Sequence, residues 1–144
     1  METFADGQAV LRFDSGHGHV PSALSDVSAF LEREGLRPGL VEDANIALAE
    51  ALNNIEEHAY AGQRDLPVLL RLVATNQCLR CEIEDRGTPL PGGSLPAGSM
   101  PATDPVAHDK LPEGGFGWAL LRRLTRELSY RRRGDWNHLS FTIA

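Results

Sequence analysis

At 144 residues, 42% hydrophobic and 24% charged, the chain has the composition of a single soluble globular domain, large enough for a real core. A formal charge of −6 argues against a general nucleic-acid binder, and no apolar run approaches the roughly 18 residues of a membrane helix. METFADGQAV has neither the basic start nor the apolar core of a signal peptide, and with two cysteines the chain reads as cytoplasmic, in a reducing compartment.

QAVLRFD alternates well enough to be a first strand, and SGHGHVP after it is turn-like. His17 and His19 sit in that Gly-rich stretch without a carboxylate or cysteine partner close in sequence, so they read as loop, not as a metal site. Pro21 and Ser22 open a helix through ALSDVSAFLERE, with Leu24, Val27 and Leu31 on one stripe and Gly35 at its end. RPG breaks the chain before a longer helix that runs through ALAEALNNIEEHAY and stops at Gly62. At about 100° per residue, its apolar positions, among them Val41, Ala44, Leu48, Leu52 and Ile55, share one side. The opposite flank carries Glu50, Asn54 and His58, each four residues after the last, with Asn53 and Glu57 beside them. A solvated face is the ordinary reading of such a stripe.

LPVLLRLVA and CLRCEIED read as two strands joined through TNQ in a hairpin. Cys78 and Cys81 are an odd number of residues apart in an extended run and should point to opposite faces. They read as ordinary strand cysteines and not as a zinc or redox pair. Leu79, Cys81 and Ile83 share a face, and the same parity turns Asp85 toward the core, which is expensive for a carboxylate without a partner. Residues 86–117 are loaded with Pro, Gly and small side chains. Loops longer than about 12–15 residues inside a compact domain are usually lids, binding loops or disorder. WALLRRLTREL is a short helix with Leu121, Leu124 and Leu128 spaced for packing, and LSYRRRGDWNHLSFTIA closes as a hairpin around RGDWN. Its arginines, 131–133, read as the solvated side of that hairpin, with a partner-docking patch as the alternative. Strand, helix, helix, two strands, lid, helix and two strands suggest an α/β two-layer sandwich, with helices over one face of a mixed, mostly antiparallel sheet.

Three pieces then share one locale: the polar helix flank, EDRG at a strand end, and GGFGWALL running from loop into helix. Gly115 and Gly117 suit a backbone that approaches an anion closely, and a helix beginning there offers free N–H groups to phosphate. The sequence resembles the bacterial anti-sigma-factor serine/threonine kinases of the GHKL ATPase group, over nearly its whole length, from RFD to SFTI. Their E-x-x-x-N helix is matched by Glu50 to Asn54 followed by His58, Ala59 and Tyr60, their D-x-G turn by Asp85, Arg86 and Gly87, and their G-x-G helix start by Gly115, Phe116 and Gly117.

The resemblance implies one histidine-kinase-like (Bergerat) ATPase domain over residues 1–144 with a flexible ATP lid at about 88–114. It implies ATP and Mg²⁺ as cofactors. Asn54 would hold the Mg²⁺, Glu50 would be the general base toward a substrate serine, and Asp85 would accept from the adenine amino group. Gly87 would let the backbone turn beneath the base, and Gly115 and Gly117 would set amides against the phosphates. Asn137 falls near the place of a hydroxyl that helps to bind adenine through water in many relatives. Where some relatives carry a basic lid residue, this chain has Glu113, leaving Lys110 and His108 as the positive groups of the lid's second half. His58 and Asn53 are expected to be supporting residues. The implied function is a protein serine/threonine kinase of a partner-switching module. It would phosphorylate a STAS-type anti-sigma factor antagonist and sequester a sigma factor or other output protein, with a homodimer compatible and no direct contact with nucleic acid or membrane. The alternative is a nucleotide-binding module that sequesters a partner without phosphoryl transfer.

Overall fold

The computed structural model describes residues 1–96 and 115–144, and only the backbone of Gly115 and Phe116. A two-residue strand β1 (Glu2–Thr3) precedes β2 (Gln8–Asp14), and two helices follow, α1 (His19–Arg33) and α2 (Pro38–Asn54). Strands β3 (Pro67–Thr75) and β4 (Cys78–Asp85) form the expected hairpin, and α3 (Gly115–Leu124), β5 (Arg126–Arg133) and β6 (Trp136–Ile143) complete the chain.

The six strands among the described residues lie in the order β1-β2-β3-β4-β6-β5, and every neighbouring pair is antiparallel. The sheet is thus uniformly antiparallel where a mixed, mostly antiparallel one was expected. Strands β3, β4 and β6 are more buried on alternate residues, the period-2 signature of a sheet covered on one face. Leu70, Leu79, Cys81 and Phe141 on that face are sealed from solvent and join Phe30, Leu31, Leu40 and Leu48 of the helices in one core. Cys81 and Cys78 take opposite faces as their spacing requires, one buried and one half-buried, and burial pushes the Cys81 thiol up, away from thiolate chemistry.

The β3–β4 turn uses Asn76 and Gln77, both with positive φ (48° and 57°), as a two-residue hairpin requires. Gln77 is tied in place on both sides: it accepts from Arg37 N (2.8 Å) at the start of α2 and donates to Gly35 O (2.9 Å) at the end of α1. Three details differ from the sequence expectation. β1 is an additional short edge strand. The second helix is α-helical only to Asn54 and then widens into a π-helical turn, Ile55–Ala59, closed by Tyr60 N to Ile55 O (2.8 Å). The third helix ends at Leu124, where the Thr125 hydroxyl caps the Leu121 carbonyl (2.7 Å), so Leu128 packs from strand β5 and not from a helix.

Candidate active site

The sheet register puts Asp85, the last residue of β4, directly across from Asn137 of β6. Both side chains are on the covered face and both are buried, at 5% and 4% exposure. The Asn137 amide donates to Asp85 Oδ1 (2.8 Å), and the Gly87 N–H donates to the same oxygen (2.8 Å). Burial raises the Asp85 carboxyl above the ordinary carboxylate range, while these two hydrogen bonds, and then the nearby Arg132 and His138, pull in the other direction. The inward parity of Asp85 is therefore real, and its partners are a cross-strand amide and a turn N–H.

Asp85, Asn137, Leu139, Asn54 and Trp118 line one cavity of about 460 Å³, roofed by Leu90 and the prolines around it. The cavity wall is mostly apolar with a few convergent polar groups, the usual make-up of a small-molecule site. Asn54 lines it, and its amide nitrogen is sealed from solvent with no hydrogen-bond partner among the described residues. A buried amide without a partner among the described residues, on a residue that lines a cavity, suits a polar atom of a ligand there. The amide nitrogen suits a phosphate oxygen, and the amide turned over presents its oxygen, the hard donor that a magnesium ion takes. The residues present therefore fit a metal–phosphate group. No cluster of three or more His, Cys, Asp or Glu among the described residues could hold a metal by itself.

Glu50 lies one turn back from Asn54 on α2 and reaches across to α3. A Cβ added to Gly117 would stand 2.5 Å from Glu50 Oε2, so the carboxylate rests against the first turn of that helix at a point only glycine leaves open. Gly87 is a close approach of a different kind: a Cβ there would run into the Ala59 carbonyl, which accepts from Thr88 N (2.8 Å). Gly115 begins α3. Thus Asn54, Asp85, Gly87 and Asn137 meet at or beside the cavity, and Glu50 and Gly117 meet at its α3 side. His58 also lines it, whereas Asn53 is exposed. Residues 97–114, hence most of the expected lid with His108, Lys110 and Glu113, lie outside the described residues.

Sequence reasoning missed three supporting groups. Tyr60 ends the π-helical turn, donates to the Pro67 carbonyl and accepts from Arg86 N (2.8 Å), binding the turn to the strand ends that frame the site. Tyr130 donates to Asn137 Oδ1 (2.6 Å) and accepts from Leu90 N (3.0 Å). Arg132, expected on a solvated face, is exposed, yet it donates to Gly87 O (2.7 Å) and Asn137 Oδ1 (3.1 Å). A signal was present for the last: Arg132 pairs with Asn137 across β5–β6, and alternation puts the two on one face.

The family of the histidine kinase-like ATPase domain matches residues 13–143. The chain belongs to that family. Serine/threonine-protein kinase BtrW of Bordetella bronchiseptica is 34% identical over 95 residues, which cover 65% of this chain and 63% of that protein. Serine-protein kinase RsbW of Bacillus subtilis is 28% identical over 118 residues, 82% of this chain and 71% of that one. The alignment thus spans less than two thirds of the Bordetella relative. The crystal structure of the RsbU and RsbW domains of a Mycobacterium tuberculosis protein matches 94% of this chain and 31% of its own, with a TM-score of 0.62 at 16% identity, a likeness of fold. The histidine-kinase-like fold expected from the helix, turn and G-x-G motifs is the fold found. No helix among the described residues is long and apolar enough to cross a membrane.

Proposed function

We propose that this chain is an ATP-dependent protein serine/threonine kinase of a cytoplasmic partner-switching module. Its substrate would be a STAS-type anti-sigma factor antagonist, and its sequestered partner a sigma factor or other output protein. The observation that carries this reading is the placement of Glu50 and Asn54. They stack four residues apart on α2, one against Gly117 at the start of α3 and the other lining the cavity, with a buried amide nitrogen that has no partner among the described residues.

In this reading the adenine ring enters between Asp85 and the apolar cavity wall, and the carboxylate accepts from its amino group. The triphosphate would lie toward the α3 N-terminus, where the helix favours negative charge and Gly115 and Gly117 would set backbone N–H groups against it. Asn54 would hold Mg²⁺, which when bound supplies positive charge to the phosphate oxygens. Glu50 takes the proton from the incoming serine hydroxyl as that oxygen bonds to the γ-phosphorus and the bond to the β–γ bridging oxygen breaks, leaving ADP. Sequestration without transfer needs no base, yet a carboxylate stands beside the helix that would receive the phosphates.

The test is direct. The purified chain is incubated with a STAS antagonist encoded nearby and with γ-labelled ATP. Label on an antagonist serine or threonine supports the kinase reading. Stable binding of nucleotide and antagonist with no transferred label supports the sequestration alternative.

A further inference from the structure

We propose that Tyr130 and Arg132 are positioning residues that set purine selectivity by fixing Asp85 through Asn137. The inference rests on the adenine-site reading above and goes beyond it by assigning the groups that make the carboxylate selective.

The polarity of the relay follows from donor and acceptor counting. Arg132 can only donate, and its Nη1 is 3.1 Å from the Asn137 side-chain oxygen. The Tyr130 hydroxyl already accepts from Leu90 N, so its proton is free for that same oxygen at 2.6 Å. Two donors on one side of the amide force oxygen there and the NH₂ group on the other. That NH₂ meets only acceptors: Asp85 Oδ1 at 2.8 Å, Gly87 O at 3.2 Å and Thr88 O at 3.4 Å. The amide is saturated and has nothing left for a ligand. Asn137 therefore acts through Asp85.

Asp85 in turn receives both of its described hydrogen bonds, from Asn137 and from Gly87, on Oδ1. Oδ2 has no partner among the described residues and remains the carboxylate's acceptor in the cavity wall. A carboxylate held this way accepts from a 6-amino group. A carboxylate free to rotate could accept equally well from the N1–H of a 6-oxo purine. The relay removes that freedom, so selectivity originates at β5, on two side chains whose described hydrogen bonds go to Asn137, Leu90 and Gly87, although Tyr130 also lines the cavity.

The experiment compares equilibrium binding of ATP and inosine triphosphate, which carries an oxo group where ATP carries the amino group. The proteins are the wild-type chain, Tyr130→Phe, and the double variant Tyr130→Phe with Arg132→Ala. The wild type should prefer ATP by at least about tenfold, the scale of one buried hydrogen bond. Tyr130→Phe should reduce the ratio of the two dissociation constants about fivefold, and the double variant further, through weaker ATP binding with inosine triphosphate little changed. A merely structural role would weaken both nucleotides equally and leave the ratio intact, which overturns the proposal. Tyr130→Phe removes one oxygen and keeps the ring packing, and its melting temperature measured alongside confirms the fold. Failure of the wild type to bind either nucleotide defeats the adenine-site reading itself. Wild-type binding with no preference defeats both.

Discussion

Glu50 Oε2 stands 2.5 Å from the position that a Gly117 Cβ would occupy, so a methyl group at 117 and the carboxylate compete for one place. The obstacle is the far end of a flexible side chain, which can swing away. Alanine also favours a helix over glycine by about 1 kcal/mol. Gly117→Ala should therefore leave the melting temperature unchanged or slightly raised, while displacing the proposed base and lowering phosphoryl transfer about tenfold or more, within the range for misplacing a general base. Thermal melts paired with single-turnover transfer rates check this. Wild-type transfer in Gly117→Ala would detach Glu50 from the chemistry.

Gly87 should behave in the opposite way. Its Cβ would meet the Ala59 carbonyl, backbone that is held by Thr88 N and cannot swing aside. Overpacking of this kind typically costs about 1–3 kcal/mol. Gly87→Ala should lower stability by that order in denaturant titration and weaken ATP binding as well, since the same shift moves the Asp85 turn.

Glu50 and Asn54 should fail differently although they share a helix flank. Asn54→Ala removes the amide of a cavity-lining residue and should weaken nucleotide binding and transfer together. Glu50→Gln should leave ATP affinity nearly intact and cut phosphorylation of the antagonist by about 10²–10⁴, the usual cost of losing a general base. Calorimetric ATP binding and transfer rates for both variants check this. Matching losses of affinity in the two would show that Glu50 works in binding.

The pH dependence centres on Asp85. Burial raises its carboxyl in the folded state, so between the ordinary carboxylate range and that raised value the folded chain holds a proton that the unfolded chain has released. Stability contributed by this group falls as pH rises through that window and is constant on either side of it. ATP binding runs the other way, because the ionised carboxylate is the acceptor: affinity should fall as pH drops through the same window. Asp85→Asn should flatten both profiles, and should sharply reduce the melting-temperature rise that ATP gives the wild type.

Where periodicity was strong, the fold could be read from the sequence. The β3 and β4 strands, the Asn76-Gln77 turn and the stripe of α2 each combine a hydrophobic period with a matching turn or breaker. The parity of Asp85 was visible for the same reason. The π-helical turn was not visible, because Ile55 and Ala59 keep helical spacing whether the turn is closed by four residues or five. Leu128 misled similarly: it is four residues after Leu124, yet it reaches the core from a strand after the chain turns at Thr125. Tyr130 and Arg132 act through hydrogen bonds to Leu90, Gly87 and Asn137, and the first two of these contacts join residues 40 or more positions apart. No local pattern encodes them.

The sheet order has a consequence for how the protein is made. Of the strands described, β6 is synthesised after the other five, yet it lies inside the sheet, between β4 and β5. Until residues 136–143 leave the ribosome, β4 has an open edge, Asp85 lacks its amide partner and the cavity lacks a wall. A nucleotide therefore cannot help the growing chain to fold. The exposed edge of β4 is open to wrong pairings for that interval, as unpaired strands are. Folding of this domain should respond to chaperone supply and to translation speed over residues 136–143, and not to the cell's ATP acting as a ligand before that strand has paired.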